Sequence, residues 1–130
     1  MHGFSTLNAK RPGDPTVLID STREMARLLK KASPKVLIYL TATWARPDMV
    51  YPEGMPWHGK GIDAMAADIR SGYDRAAKAS GDVRGVIPVG EAFNRAIRNG
   101  IADANPYEGV RGGKADLWTY DHYHASHYGY

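Results

Sequence analysis

The chain is expected to fold as an α/β protein on a parallel sheet, and three observations carry that expectation. β-prone and amphipathic segments alternate along its 130 residues, the order that parallel sheets with helical crossovers require. The run Val36-Leu37-Ile38-Tyr39-Leu40-Thr41 is continuously apolar or β-branched, as in a strand buried on both faces. Composition is ordinary for a globular domain, with 43% hydrophobic and 24% charged residues, and the length suits one domain, 1–130.

Taken in order, His2-Gly3-Phe4-Ser5 resembles the end of a strand, and Pro12, Gly13 and Pro15 mark a loop. Asp14-Pro15 is a helix start, because the carboxylate can accept from free amides and proline suits the first helical position. Val17, Leu18, Met25, Leu28 and Leu29 recur at helical steps up to the stop at Ser33-Pro34, predicting a helix over Pro15 to Ala32 with that face in the core. After the strand at 36–41, residues 45–61 carry three prolines and three glycines and form an irregular loop. Ile62, Met65, Ile69, Tyr73 and Ala76 mark a second helix ending at Gly81, Val86–Val89 a short strand, and Glu91 to Asn99 a third helix with Phe93, Ala96 and Ile97 inward. About three strands are therefore present, fewer than open doubly wound sheets normally have. Residues 125–130 look like the first turn of another helix.

Seventeen Lys and Arg face 14 Asp and Glu, a formal charge of +3, with no basic block of the kind nucleic-acid binding requires. Absence of cysteine removes disulfides, thiolate metal sites and a thiol nucleophile. The longest apolar runs are too short to span a membrane, and no signal-peptide pattern follows Met1, so compartment stays undetermined.

The chemistry concentrates in Trp118-Thr-Tyr-Asp121-His122-Tyr123-His124-Ala125-Ser126. Asp121 and His124 stand three apart, a spacing that lets a carboxylate hold one imidazole nitrogen and present the other as a base. The same segment could be an aromatic surface loop with merely polar histidines. His122, His124, His127 and Asp121 are metal-ligand types, but without helical spacing or a distant fourth ligand no metal or cofactor is expected. Thr43, Trp44 and Arg46 follow the carboxyl end of a strand, where open α/β sheets bind ligands. There Arg46 could hold an anionic group and Trp44 could stack on substrate, or both could simply pack the loop. His58 is a candidate rim residue, while Gly109 to Gly113 lacks the strand and helix that a phosphate loop needs.

Asp121-His122-Tyr123-His124-Ala125-Ser126, followed by Gly129-Tyr130, resembles the last sequence block of the SGNH or GDSL hydrolase superfamily. Val36 to Trp44 and Gly85 to Gly90 resemble strands of the same family. The resemblance implies a flavodoxin-like three-layer α/β/α fold of which this chain holds the part from the third strand onward. It also implies carboxylic-ester hydrolysis, with His124 as general base and Asp121 as its orienting carboxylate. The family's Gly-Asp-Ser nucleophile block is missing: the serines are Ser5, Ser21, Ser33, Ser71, Ser80 and Ser126, and none follows Gly-Asp. Gly3-Phe4-Ser5 falls where the family has its oxyanion-binding block, making Ser5, with Gly3, an oxyanion donor or substitute nucleophile. The expected nucleophile is then on a segment outside this chain, and the chain alone is expected to be nearly inert. The alternative is a non-catalytic α/β domain with an incomplete site that binds a ligand or partner. Either way, an uncovered sheet edge invites self-association.

Overall fold

A computed structural model describes residue 11 and residues 13–130. In chain order the elements are α1 (Thr16–Ala32), β1 (Ile38–Ala42), α2 (Pro47–Val50), α3 (Ile62–Ser80), β2 (Val83–Pro88) and α4 (Val89–Arg98), followed by a 3-10 turn at Pro106–Glu108. β1 and β2 pair in parallel, Leu40 opposite Val86 and Ala42 opposite Pro88. The chain is thus a small α/β protein with a two-stranded parallel sheet among its described residues; the strand expected at 2–5 lies outside them. Contacts divide the chain into two units, one of Met1–Thr43 with Ala67–Val89, the other of Trp44–Ala66 with Gly90–Tyr130.

In the first unit Asp14, expected as the N-cap, stands one residue before it, its Oδ1 accepting from the Thr16 amide at 3.0 Å and the Thr16 hydroxyl at 2.6 Å. Pro15 occupies the N-cap rather than the first helical position. The buried stripe of α1 is Leu18, Thr22 and Ala26, at four-residue steps. The bulkier Val17, Met25, Leu28 and Leu29, expected inside, are 40–49% exposed. Gly72 of α3 lies close to the start of α1: a Cβ added there would sit 3.5 Å from Pro15 and 3.9 Å from Leu18. Ile69, Tyr73 and Ala76 of α3 are buried as their spacing predicts. Burial pushes the Tyr73 phenol up to about 12, a shift partly opposed by its hydrogen bond with the Thr43 side chain.

β1 corrects the expectation of a strand buried on both faces. Ile38 and Ala42 are buried, whereas Tyr39 and the neighbouring Leu37 are 55% and 60% exposed. The alternation is that of a strand with one covered face. β2 begins at Val83, three residues before the apolar run that announced it, and Val89 already belongs to α4. Asp82-Val83-Arg84 alternates polar and apolar residues, which a search for apolar runs passes over.

The second unit is mostly loop, organised around aromatic rings. Trp118 is 2% exposed; its Nε1 donates to the Ala45 carbonyl at 3.0 Å, and its ring meets Phe93 at 5.9 Å. Trp44 stacks on the other neighbour of this cluster, Phe93, at 5.1 Å and 11° between planes. Residues 125–130 form no helix. Ser126 Oγ donates to the Asp116 carbonyl at 2.5 Å and accepts from the Tyr128 amide at 3.2 Å, while the Gly129 amide returns to the Ser126 carbonyl. A serine side chain that engages nearby backbone in this way competes with helical pairing.

Candidate active site

The segment from Leu117 to Ser126 is a hairpin-like loop. Trp118 and Ala125 form an antiparallel bridge, the Thr119 amide donates to the His124 carbonyl at 2.8 Å, and the His122 amide to the Thr119 carbonyl at 2.9 Å. His122 closes the turn with φ 56°, the left-handed region that few side chains adopt. The loop therefore presents Asp121 and His124 on one tight turn.

Asp121 Oδ1 accepts from the Thr119 hydroxyl at 2.6 Å and from the Tyr123 and His124 amides at 2.9 Å each. Its Oδ2 lies 2.6 Å from His124 Nδ1. The Thr119 hydroxyl, then the His124 ring, then these amides hold the Asp121 carboxyl well below the usual carboxylate range. An ionised carboxylate can only accept, so Nδ1 carries the proton and Nε2 is the basic nitrogen of the neutral ring. A depressed folded-state value stabilises the native loop at pH above the unfolded value near ~3.9, and that stabilisation is lost as pH falls through the folded midpoint. Carboxyl ¹³C shifts are accordingly expected to give Asp121 a midpoint clearly below the ordinary aspartate value of about 3.9. A midpoint at that ordinary value would mean that the dyad bond does not persist in solution.

Behind His124 stands an ordered stack. The Tyr123 ring lies 4.4 Å from the imidazole, and the Arg46 guanidinium sits 3.9 Å above the Tyr123 centroid. Arg46 is itself held by Asp48, with Nε to Oδ1 at 3.0 Å and a second contact at 2.5 Å; the two side chains are 17% and 26% exposed. The Trp44 indole donates to the Tyr123 carbonyl at 2.9 Å. Two of the three residues expected to contact substrate, Trp44 and Arg46, are thus engaged with the loop that carries the dyad. Thr43 belongs to the first unit, its hydroxyl hydrogen-bonded to Tyr73. His58 Nδ1 lies 2.9 Å from the Tyr51 carbonyl. Ser5 and Gly3 lie outside the described residues.

The position of Tyr123 between Arg46 and His124 has no counterpart in the sequence reading, because the cation and the ring are 77 positions apart in the chain. Spacing carries no signal for such a pairing. Among the described residues no group of three or more His, Cys, Asp or Glu side chains could hold a metal ion, and no helix is long and apolar enough to cross a membrane. No protein-family model, curated protein or solved structure matches the chain.

Proposed function

We propose that the Asp121–His124 pair is the acid–base element of a hydrolase acting on carboxylic esters, as the resemblance of its motif to the SGNH superfamily implies. The observation that carries this reading is the 2.6 Å contact between His124 Nδ1 and Asp121 Oδ2, which leaves Nε2 as the base. In such a site Nε2 takes the proton of a serine hydroxyl as its oxygen bonds to the ester carbonyl. The proton then passes to the departing alkoxide, and Asp121 stays ionised beside the transient imidazolium. Ser5, with Gly3, is assigned to the oxyanion. The reading extends the β1–β2 pair, joined through α3, to the three-layer sheet of that superfamily.

Hydrolysis of p-nitrophenyl acetate tests the proposal. Without the serine, His124 Nε2 can still take a proton from a water attacking this activated ester, so the chain alone is expected to be a weak catalyst whose rate falls about 100-fold or more in His124→Ala and survives in Ser5→Ala. Equal rates for wild type and His124→Ala, or loss in Ser5→Ala with fluorophosphonate labelling of Ser5, would overturn the assignment of base or nucleophile respectively.

A non-catalytic reading is supported by the first unit, where Met25 and Leu29 of α1 and Ile38 and Leu40 of β1 line an open groove of about 280 Å³, and Leu37, Tyr39 and Ile87 are exposed. Exposed apolar surface beside a short sheet favours self-association. Light scattering is expected to show mass rising with concentration, and Tyr39→Lys to suppress the rise; a constant monomer mass removes this reading.

A further inference from the structure

Helix α1 is 17 residues long, and its unburied surface is patterned. Ser21, Met25, Leu28 and Ala32 follow one another at steps of four, three and four residues, the spacing of a coiled-coil seam. This seam lies about a quarter turn around the helix from the buried stripe of Leu18, Thr22 and Ala26, and its Met25, Leu28 and Ala32 are exposed. Ser21 and Met25 also line the groove that runs down to β1.

The charges beside the seam say what covers it. Along its outer side, away from the buried stripe, run Asp20, Glu24, Arg27 and Lys31, all exposed. The acidic pair stands in the amino-terminal half of the helix and the basic pair in the carboxyl-terminal half. Glu24 accepts from Arg27 within the helix at 2.7 Å, and a carboxylate has lone pairs for a second cation. Two such helices laid parallel set acid beside acid and base beside base, which is repulsive. Laid antiparallel, each acidic half faces a basic half, and flanking charges of this kind set the partner and orientation of paired helices. A partner of one charge sign, such as an anionic bilayer, would be drawn to the carboxyl-terminal half and repelled by the other. The stripe is complementary to its own reverse.

We propose that α1 pairs antiparallel with α1 of a second copy of this chain, about a two-fold axis. The proposal rests on the self-association reading of the first unit and assigns it a surface and a register. At the centre Met25 of each copy meets Leu28 of the other, to either side Ser21 meets Ala32, and Glu24 reaches Lys31 across the pair. Two-fold symmetry makes each of these contacts twice. Seated along Ser21 and Met25, the second helix lies at the mouth of the groove.

Sedimentation velocity over a concentration series tests the pairing. Glu24→Lys and Lys31→Glu are each expected to weaken the dimer about tenfold or more, because both symmetry-related attractions become repulsions; the two positions are exposed, and far-UV dichroism should show both variants folded. Mixed in equal amounts, the two variants should associate with each other, and the chain carrying both changes should regain the wild-type constant. The register is read separately. The chain has no cysteine, so Ser21→Cys and Ala32→Cys each carry one thiol, and on air oxidation their mixture is expected to form the mixed disulfide in preference to either homodisulfide. Preferred cross-linking of Ser21→Cys to itself would show parallel helices and overturn the proposal. Association indifferent to the charge variants would also overturn it, while leaving self-association standing. A constant monomer mass removes both readings, and capture of that monomer by phosphatidylserine vesicles would assign the face to a bilayer instead.

Discussion

Asp121→Asn is expected to lower ester hydrolysis by about 10²- to 10⁴-fold while leaving the fold intact. The amide is nearly isosteric with the carboxylate. Its oxygen can keep the three donors now on Oδ1, the Thr119 hydroxyl and the Tyr123 and His124 amides, so the turn retains its pairing. That orientation points the NH₂ at His124 Nδ1, where Oδ2 now lies 2.6 Å away. Two donors cannot share the bond, so Nδ1 must give up its proton and Nε2 must carry one. The ring then has no lone pair for the nucleophile's proton, and the imidazolium loses its counter-charge. Imidazole ¹⁵N shifts should show the change from the Nδ1–H to the Nε2–H tautomer at neutral pH, together with the backbone amide shifts of a folded chain. Retained activity alongside that tautomer change would mean that hydrolysis does not use His124 as its base.

What the sequence made legible was local. The Asp121–His124 contact spans three residues and follows from spacing, and the strongly periodic helices α1 and α3 lie within a few residues of where Leu18, Ile69, Tyr73 and Ala76 put them. Which face of α1 is buried was not legible. The inner stripe includes Thr22 and Ala26, and small residues contribute little to an apolar periodicity that Val17, Met25, Leu28 and Leu29 dominate. The same holds for Asn94, a polar residue on the buried face of α4 beside Phe93, because its burial depends on Asp63, 31 residues earlier. Long-range pairings such as Arg46 with Tyr123 or Trp44 Nε1 with the Tyr123 carbonyl leave no mark on spacing. They arise only when the loop after β1 and the C-terminal loop meet, and they engage Trp44 and Arg46, two residues expected to touch substrate, with the loop that carries His124.

Those supports converge on Trp118, and Trp118→Ala is expected to have the largest effect on stability of any single truncation in the second unit. The indole is among the largest fully buried side chains, and emptying such a site costs about 3–5 kcal/mol. Loss of Nε1 also leaves the carbonyl of Ala45, itself 1% exposed, without its 3.0 Å donor, a further penalty of about 1–3 kcal/mol. Against a typical total stability of about 5–15 kcal/mol, the sum is enough to unfold much of this unit. Phe93 loses the ring 5.9 Å from its own and cannot collapse freely into the space, because it remains stacked on Trp44. The effect reaches the dyad, since Trp118 is bridged to Ala125 across the turn bearing Asp121 and His124. Trp118→Phe separates the two contributions: it keeps most of the apolar contact, so only the loss of about 1–3 kcal/mol from the orphaned carbonyl should remain. Urea unfolding with near-UV dichroism measures both variants. A Trp118→Ala midpoint within about 1 kcal/mol of wild type, well under the usual cost of emptying an aromatic core site, would show that the second unit is not organised around this ring.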